Sequence, residues 1–122
     1  MLRELSTTRQ ISGEARRRWF ESSRCDLIVW LRDDDSAEGF QFCYDKEARE
    51  HALTWIDGRG FSHMAVDSGN RMIAGHGRGT PILVADGTFD VDRIRRIFQA
   101  EAIGIPPEYT ALVLAKLDEL GA

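Results

Sequence analysis

Cysteine is scarce: Cys25 and Cys43 are the two thiols in 122 residues, too few for a disulfide framework. In a reducing compartment each is expected to serve as a small buried hydrophobe. Long apolar runs are also missing. The longest, residues 27–31 and 111–115, fall far short of the ~20 residues that cross a bilayer, so no membrane span is expected. The N-terminus shows no apolar stretch after a basic start, so no secretory signal is expected and the cytoplasm is the default location. Positive charge is in deficit as well, with a formal net charge of −4. That balance disfavours nucleic acid as a partner, because neutralising phosphates takes a basic surface.

The common catalytic signatures are absent too. There is no GxSxG elbow, and Ser22, Ser23, Ser36, Ser62 and Ser68 fall in turns or on a greasy strand face. No lysine followed by serine or threonine completes a P-loop, and no GxGxxG joins a strand to a helix. CxxC and HExxH spacings do not occur, so neither a metal nor a cofactor is expected. Internal repeats and low-complexity segments are lacking.

What remains is the balance of a globular protein, with 43% hydrophobic and 30% charged residues. The length suits one domain over residues 1–122. Charge is uneven: residues 1–24 hold six arginines against three glutamates. Mixed signs there point to a solvated helix face rather than a nucleic-acid arm. Residues 1–11 have weak periodicity and are expected to be a flexible lead-in. Ser12 is placed to cap a helix running to about Ser22, with Ala15, Trp19 and Phe20 inward. Residues 27–32 then form a β-branched and aromatic run, closed by the turn cluster Asp33-Asp34-Asp35-Ser36.

Residues 40–45, 51–57 and 61–67 follow as three short strands in a meander. Asp57-Gly58-Arg59-Gly60 supplies glycines for the tighter hairpin. Residues 68–80 are a glycine-rich loop, and Pro81-Ile82-Leu83-Val84-Ala85 reads as a last strand with Pro81 at its start or on an edge. The period then changes from two to 3.6. Asp90 caps a helix with the stripe Val91, Ile94, Ile97, Phe98 and Ala102, and Gly104 stops it. Pro106-Pro107-Glu108 opens a second helix with the stripe Tyr109, Leu112, Val113, Leu117 and Leu120. The expected fold class is α+β: an antiparallel meander of about five strands, with an N-terminal helix and two C-terminal helices packed mainly on one face.

Strand alternation sorts the meander into two faces. Phe40, Phe42, Tyr44, Ala52, Thr54, Ile56, Ser62, Met64 and Val66 form a greasy face for the helices to cover. Gln41, Cys43, Asp45, His51, Leu53, Trp55, His63, Ala65 and Asp67 form a half-polar face, which an antiparallel sheet tolerates on its solvated side. If Asp57 opposes Phe61 and Asp45 opposes His51, two clusters result: an Asp45–His51–Asp67 row and a Trp55–His63 pair. A carboxylate beside an imidazole fixes its tautomer and raises its pKa, as a general base or ligand requires. The competing account is a cross-strand charge pair and ordinary aromatic packing. Arg71, His76 and Arg78 lie among the glycines of the loop, where backbone N–H groups and guanidinium forks suit an anion. A surface loop of no chemical role is the competing account there.

The runs Asp26-Leu27-Ile28-Val29-Trp30, Gly39-Phe40-Gln41-Phe42-Cys43-Tyr44-Asp45-Lys46 and His51-Ala52-Leu53-Thr54-Trp55, with Pro81-Ile82-Leu83-Val84, resemble a family of small uncharacterised bacterial proteins. The resemblance covers most of the chain from Arg17 onward. It implies a stand-alone bacterial domain and transfers no activity, cofactor or catalytic residue.

The expected function is therefore a non-enzymatic module that binds a protein partner or small ligand across the half-polar face. Its binding residues are expected to be Trp55, His63, His51, Asp45, Asp67, Arg71 and Arg78, with homodimerisation as one way to cover the face. The alternative is a small enzyme with His51 or His63 as acid–base and an anionic substrate held by Arg71 or Arg78.

Overall fold

Alternation, not helical periodicity, governs residues 16–21. The computed structural model describes residues 1–5, 16–47, 50–65, 80–81 and 90–121. In it Arg16–Glu21 is a strand, β2, preceded by the two-residue β1, Arg3–Glu4. β3 (Asp26–Leu31), β4 (Ala37–Tyr44), β5 (His51–Ile56), β6 (Gly60–Ala65) and the two-residue β7 (Thr80–Pro81) follow. The last described elements are α1 (Val91–Glu101) and α2 (Pro107–Gly121). All seven strands lie in one antiparallel sheet in chain order. The fold is α+β, as expected, but no N-terminal helix occurs among the described residues.

The helix expected from Ser12 to about Ser22 is corrected to a strand over its described part. Ser22 turns the chain: its hydroxyl accepts from the N–H groups of Arg24 and Cys25. That tight turn lays Arg16–Glu21 against the β-branched run of β3, and pairing outweighs the weak helical preference of an arginine run. The expected flexible lead-in also meets a different arrangement at its start. Leu2 is buried in the core, and its N–H donates to the Glu101 carbonyl at 2.7 Å. Residues 6–11 lie outside the described residues.

The C-terminal helices follow their sequence signals. The Asp90 carboxylate accepts from the Arg93 N–H at 3.0 Å and caps α1. Gly104 takes φ +106°, the left-handed value that lets the chain leave α1 and re-enter as α2. Val91, Ile94 and Phe98 of α1 join Tyr109, Val113 and Leu117 of α2 in one core with Phe20, Leu27, Val29, Phe40, Phe42 and Leu53. Phe98 meets Phe42 edge to face, centroids 5.3 Å apart.

One slip in register changes which residues those helices cover. β4 and β5 pair as Tyr44↔His51, Cys43↔Ala52 and Phe42↔Leu53, one residue away from the expected Asp45–His51 closure. Asp45 adopts φ +58°, leaves the strand, and is gripped by Arg93 of α1. Because side chains alternate with period two, this slip moves the whole of β5 to the other face relative to β4. The second hairpin pairs Trp55↔Phe61 and Leu53↔His63, rather than Trp55 with His63. That shift keeps the faces of β5 and β6 in step.

Phe40, Phe42 and Tyr44 consequently share the helix-covered face with His51, Leu53, Trp55, Phe61 and His63. Ile56 and Met64, expected under the helices, sit on the opposite face with Asp26, Ile28, Gln41, Cys43, Ala52 and Thr54. The centre of that opposite face is buried as well, polar side chains included. Thr54 Oγ1 donates to Gln41 Oε1 at 3.3 Å, and Lys46 Nζ donates to Asp26 Oδ1 at 3.1 Å.

Candidate functional site

Three of the chemically capable side chains do meet, but in an arrangement set by the observed register. Tyr44 ends β4, His51 opens β5 opposite it, and His63 stands on β6. The Tyr44 hydroxyl lies 2.5 Å from His63 Nε2. The two imidazoles stack nearly parallel, at 6° and 5.1 Å between centroids. Burial pushes His63 down to about 4, with the charge of His51 adding to the effect. Burial likewise pushes the Tyr44 phenol well above its usual range, and the Asp45 carboxylate adds to it. At neutral pH both partners are uncharged.

Asp45 does not join this cluster as a cross-strand carboxylate. Its two oxygens accept from Arg93 Nη1 and Nη2, each at 2.8 Å. That bidentate grip holds its carboxyl below the usual range. Trp55 is not paired with His63. It is buried, tilted against Phe40 at 6.1 Å, and capped by Lys116 Nζ of α2 at 4.3 Å from its ring. Asp67, Arg71 and Arg78 lie outside the described residues. The structure thus brings His51 and His63 together, adds Tyr44, and sets Asp45 and Trp55 apart.

Neither thiol stands as a nucleophile. Cys25 and Cys43 are buried and reduced, and burial pushes the Cys25 thiol up to about 12. Among the described residues no group of three or more His, Cys, Asp or Glu side chains is placed to hold a metal ion. No helix among them is long and apolar enough to cross a membrane.

A second place, unforeseen in the sequence, is a cleft of about 730 Å³ between the start of α2 and strands β2 to β4. Its floor is Leu31, Ala37, Tyr109 and Leu112, and its rim is Arg16, Arg18, Asp35, Ser36 and Glu108. Alternation along β2 points Arg16 and Arg18 to the side where α2 packs. The turn after β3 brings Asp35 beside them: Asp35 takes φ +70°, and the Asp34 carboxylate accepts from the Ser36 N–H. Arg16 donates to Asp35 and lies 3.4 Å from the Arg32 carbonyl.

Arg18 is far more tightly held. It donates to both oxygens of Glu4, at 2.7 and 2.6 Å, and to the Tyr109 hydroxyl at 3.2 Å. Its Cζ lies 5.5 Å from the Phe20 ring centroid and 5.4 Å from that of Tyr109. Arg18 keeps Glu4 below the usual carboxylate range.

Reading residues 16–18 as a solvated helix face hid this cleft. A period of two over Arg16, Arg18 and Phe20, followed by a polar turn, was the available signal. A smaller depression of 210 Å³ adjoins the Asp45–Arg93 pair. Compared with known proteins, the chain matches no family model, no curated protein and no solved structure.

Proposed function

We propose that this chain is a small-ligand-binding module whose ligand occupies the cleft framed by β2, β3, β4 and α2. The observation that carries this is the cleft itself. Its volume, about 730 Å³, falls inside the roughly 300–1,000 Å³ of small-molecule sites, and a few apolar side chains floor it beneath a rim of charged and polar groups. The proposed function is still non-enzymatic binding, but the proposed site is the arginine end of the sheet instead of the meander face.

The test is an amide-shift titration of the ¹⁵N-labelled chain. The probe is a mixture of small aromatic and branched aliphatic compounds carrying a carboxylate, an amine, both or neither. Shifts gathered at Leu31, Ala37 and Leu112, and abolished by Leu112→Trp, are the expected result. Shifts centred on His51 and His63, or none anywhere, would overturn it.

One observation favours a second reading, a small enzyme with His63 as acid–base. A hydroxyl sits 2.5 Å from an imidazole kept neutral at pH 7, the protonation state a general base needs. Against it stands the same bond, which already occupies Nε2, and a basicity too low for efficient proton abstraction near pH 7. Acylation by diethyl pyrocarbonate separates the two. Modification of His63 at the rate of free imidazole supports the enzyme, while slow modification accelerated by Tyr44→Phe supports a satisfied packing pair.

A further inference from the structure

The charge pattern on the rim goes further and assigns the class of ligand, resting on the binding reading just given. We infer that the cleft takes an apolar zwitterion: a molecule of α-amino-acid type with a bulky hydrocarbon side chain, inserted between Arg16 and Asp35.

Arg18 is not the group that selects. Glu4 cancels its charge through two short hydrogen bonds, and Tyr109 and Phe20 fix its plane. Arg16 is different. Its side chain is 53% exposed and that of its partner Asp35 is 75% exposed, and an ion pair so open to water is held weakly. An entering ligand can exchange partners with it at little cost.

The sign of the charges then decides what enters. Asp35 and Glu108 both line the cleft, and Asp33 lies close enough to act on the Arg16 guanidinium. A simple carboxylate that took Arg16 would strand Asp35 beside a second negative charge. A simple amine that took Asp35 would cost Arg16 its hydrogen-bonded partner and leave it only the weaker pull of Asp33. A molecule carrying both groups on adjacent atoms places its carboxylate on Arg16 and its ammonium on Asp35, with Glu108 on the same acidic rim. Arg16 and Asp35 then each keep a partner, and the ligand adds no net charge to the acidic rim. Leu31 and Leu112 in the floor supply the apolar contact that a hydrocarbon side chain needs.

The experiment compares four probes of one shape by the same amide-shift titration: L-phenylalanine, 3-phenylpropionate, 2-phenylethylamine and L-phenylalaninamide. L-Phenylalanine is expected to bind about tenfold tighter than any single-charge analogue, since each lost charge pair removes one charge-assisted contact. Arg16→Gln with Asp35→Asn, a surface pair whose removal leaves the core intact, is expected to erase that preference while the spectrum stays dispersed. Binding of 3-phenylpropionate or 2-phenylethylamine in the cleft as tightly as L-phenylalanine would overturn the zwitterion assignment and leave the binding reading standing. Preference for L-phenylalanine that survives the double substitution would overturn the assignment to Arg16 and Asp35. If none of the four, nor the wider mixture, moves the Leu31, Ala37 and Leu112 amides, both inferences fall together.

Discussion

Tyr44 and His63 stand two strands apart, yet the hydroxyl of one meets Nε2 of the other at 2.5 Å, with β5 lying between. The stacked His51 ring closes the other side of His63. Protonating His63 would place a charge in a half-buried site and set it against the charge of His51. Both effects oppose the charged form, burial the more strongly, and the His63 pKa falls.

His63 is therefore a source of pH-dependent stability. Its value falls from 6.5 in an unstructured chain to about 4 when folded. Between those values the unfolded chain holds a proton that the folded one lacks, so stability is full above 6.5 and is lost as pH falls toward 4. The Asp45 and Glu101 carboxylates, held down by Arg93 and the terminal ammonium, have ordinary values of 3.8 and 4.5 and act lower. Urea midpoints measured from pH 7 to pH 5 should fall for the wild type and flatten for His63→Gln. A His63 resonance titrating near 6.5 by NMR would refute this.

At Asp45 the backbone matters more than the charge. Its pair with Arg93 is partly exposed and contributes at most ~1 kcal/mol, so Arg93→Gln should cost little. Asp45→Asn keeps a residue that tolerates φ +58° and should cost equally little. Asp45→Val forces a β-branched side chain into the left-handed region and should cost ~1–2 kcal/mol more. Urea denaturation of the three variants reads this directly; equal losses for Asn and Val would show that the ion pair, not the turn, is what counts.

Phe98→Ala removes a fully buried ring from its edge-to-face seat on Phe42. A loss of ~3–5 kcal/mol is expected, the usual cost of a cavity of that size. The same substitution at exposed Ile103 should change stability by less than about 0.5 kcal/mol. Similar effects at both positions would mean that α1 does not anchor the sheet.

Gly39 is the position where one added carbon should do most harm. A Cβ built there would lie 2.5 Å from the Trp55 carbonyl oxygen, a backbone atom that cannot swing aside. Gly39→Ala should therefore destabilise by at least ~2 kcal/mol, although glycine-to-alanine changes at unstrained sites usually stabilise. Amide exchange should show the loss concentrated where β4 pairs with β5. A neutral or stabilised variant would contradict that close approach.

How far the sequence carried is seen element by element. The two C-terminal helices were legible because their apolar positions recur at 3.6 and because Asp90, Gly104 and Pro107 mark the ends. The hairpin at Asp57–Gly60 was legible from its glycines, which take φ +82° and +86° at Gly58 and Gly60. Arg16–Glu21 was not, because three consecutive arginines fit either period and the partner strand decides. The helix-covered identity of His51, Trp55 and His63 was not legible either. It hinges on Asp45 turning out of the strand one residue early, and aspartate signals a turn without fixing its phase. The cleft needed the sheet and α2 in place before Arg16, Asp35 and Leu112 could be seen as neighbours.

Chain-order pairing of the strands has a kinetic consequence. Each strand's partner is its neighbour in sequence, and the hairpins between β2 and β6 are joined by short connections. Closing a short loop sacrifices little entropy, so the central sheet can zip from any one of these hairpins without waiting for a distant segment. Contacts from α1 and α2, and that of Leu2 with Glu101, span far more chain and belong to the late steps. Substitutions in the central hairpins should then slow folding, whereas those at the helix–sheet seam should chiefly hasten unfolding.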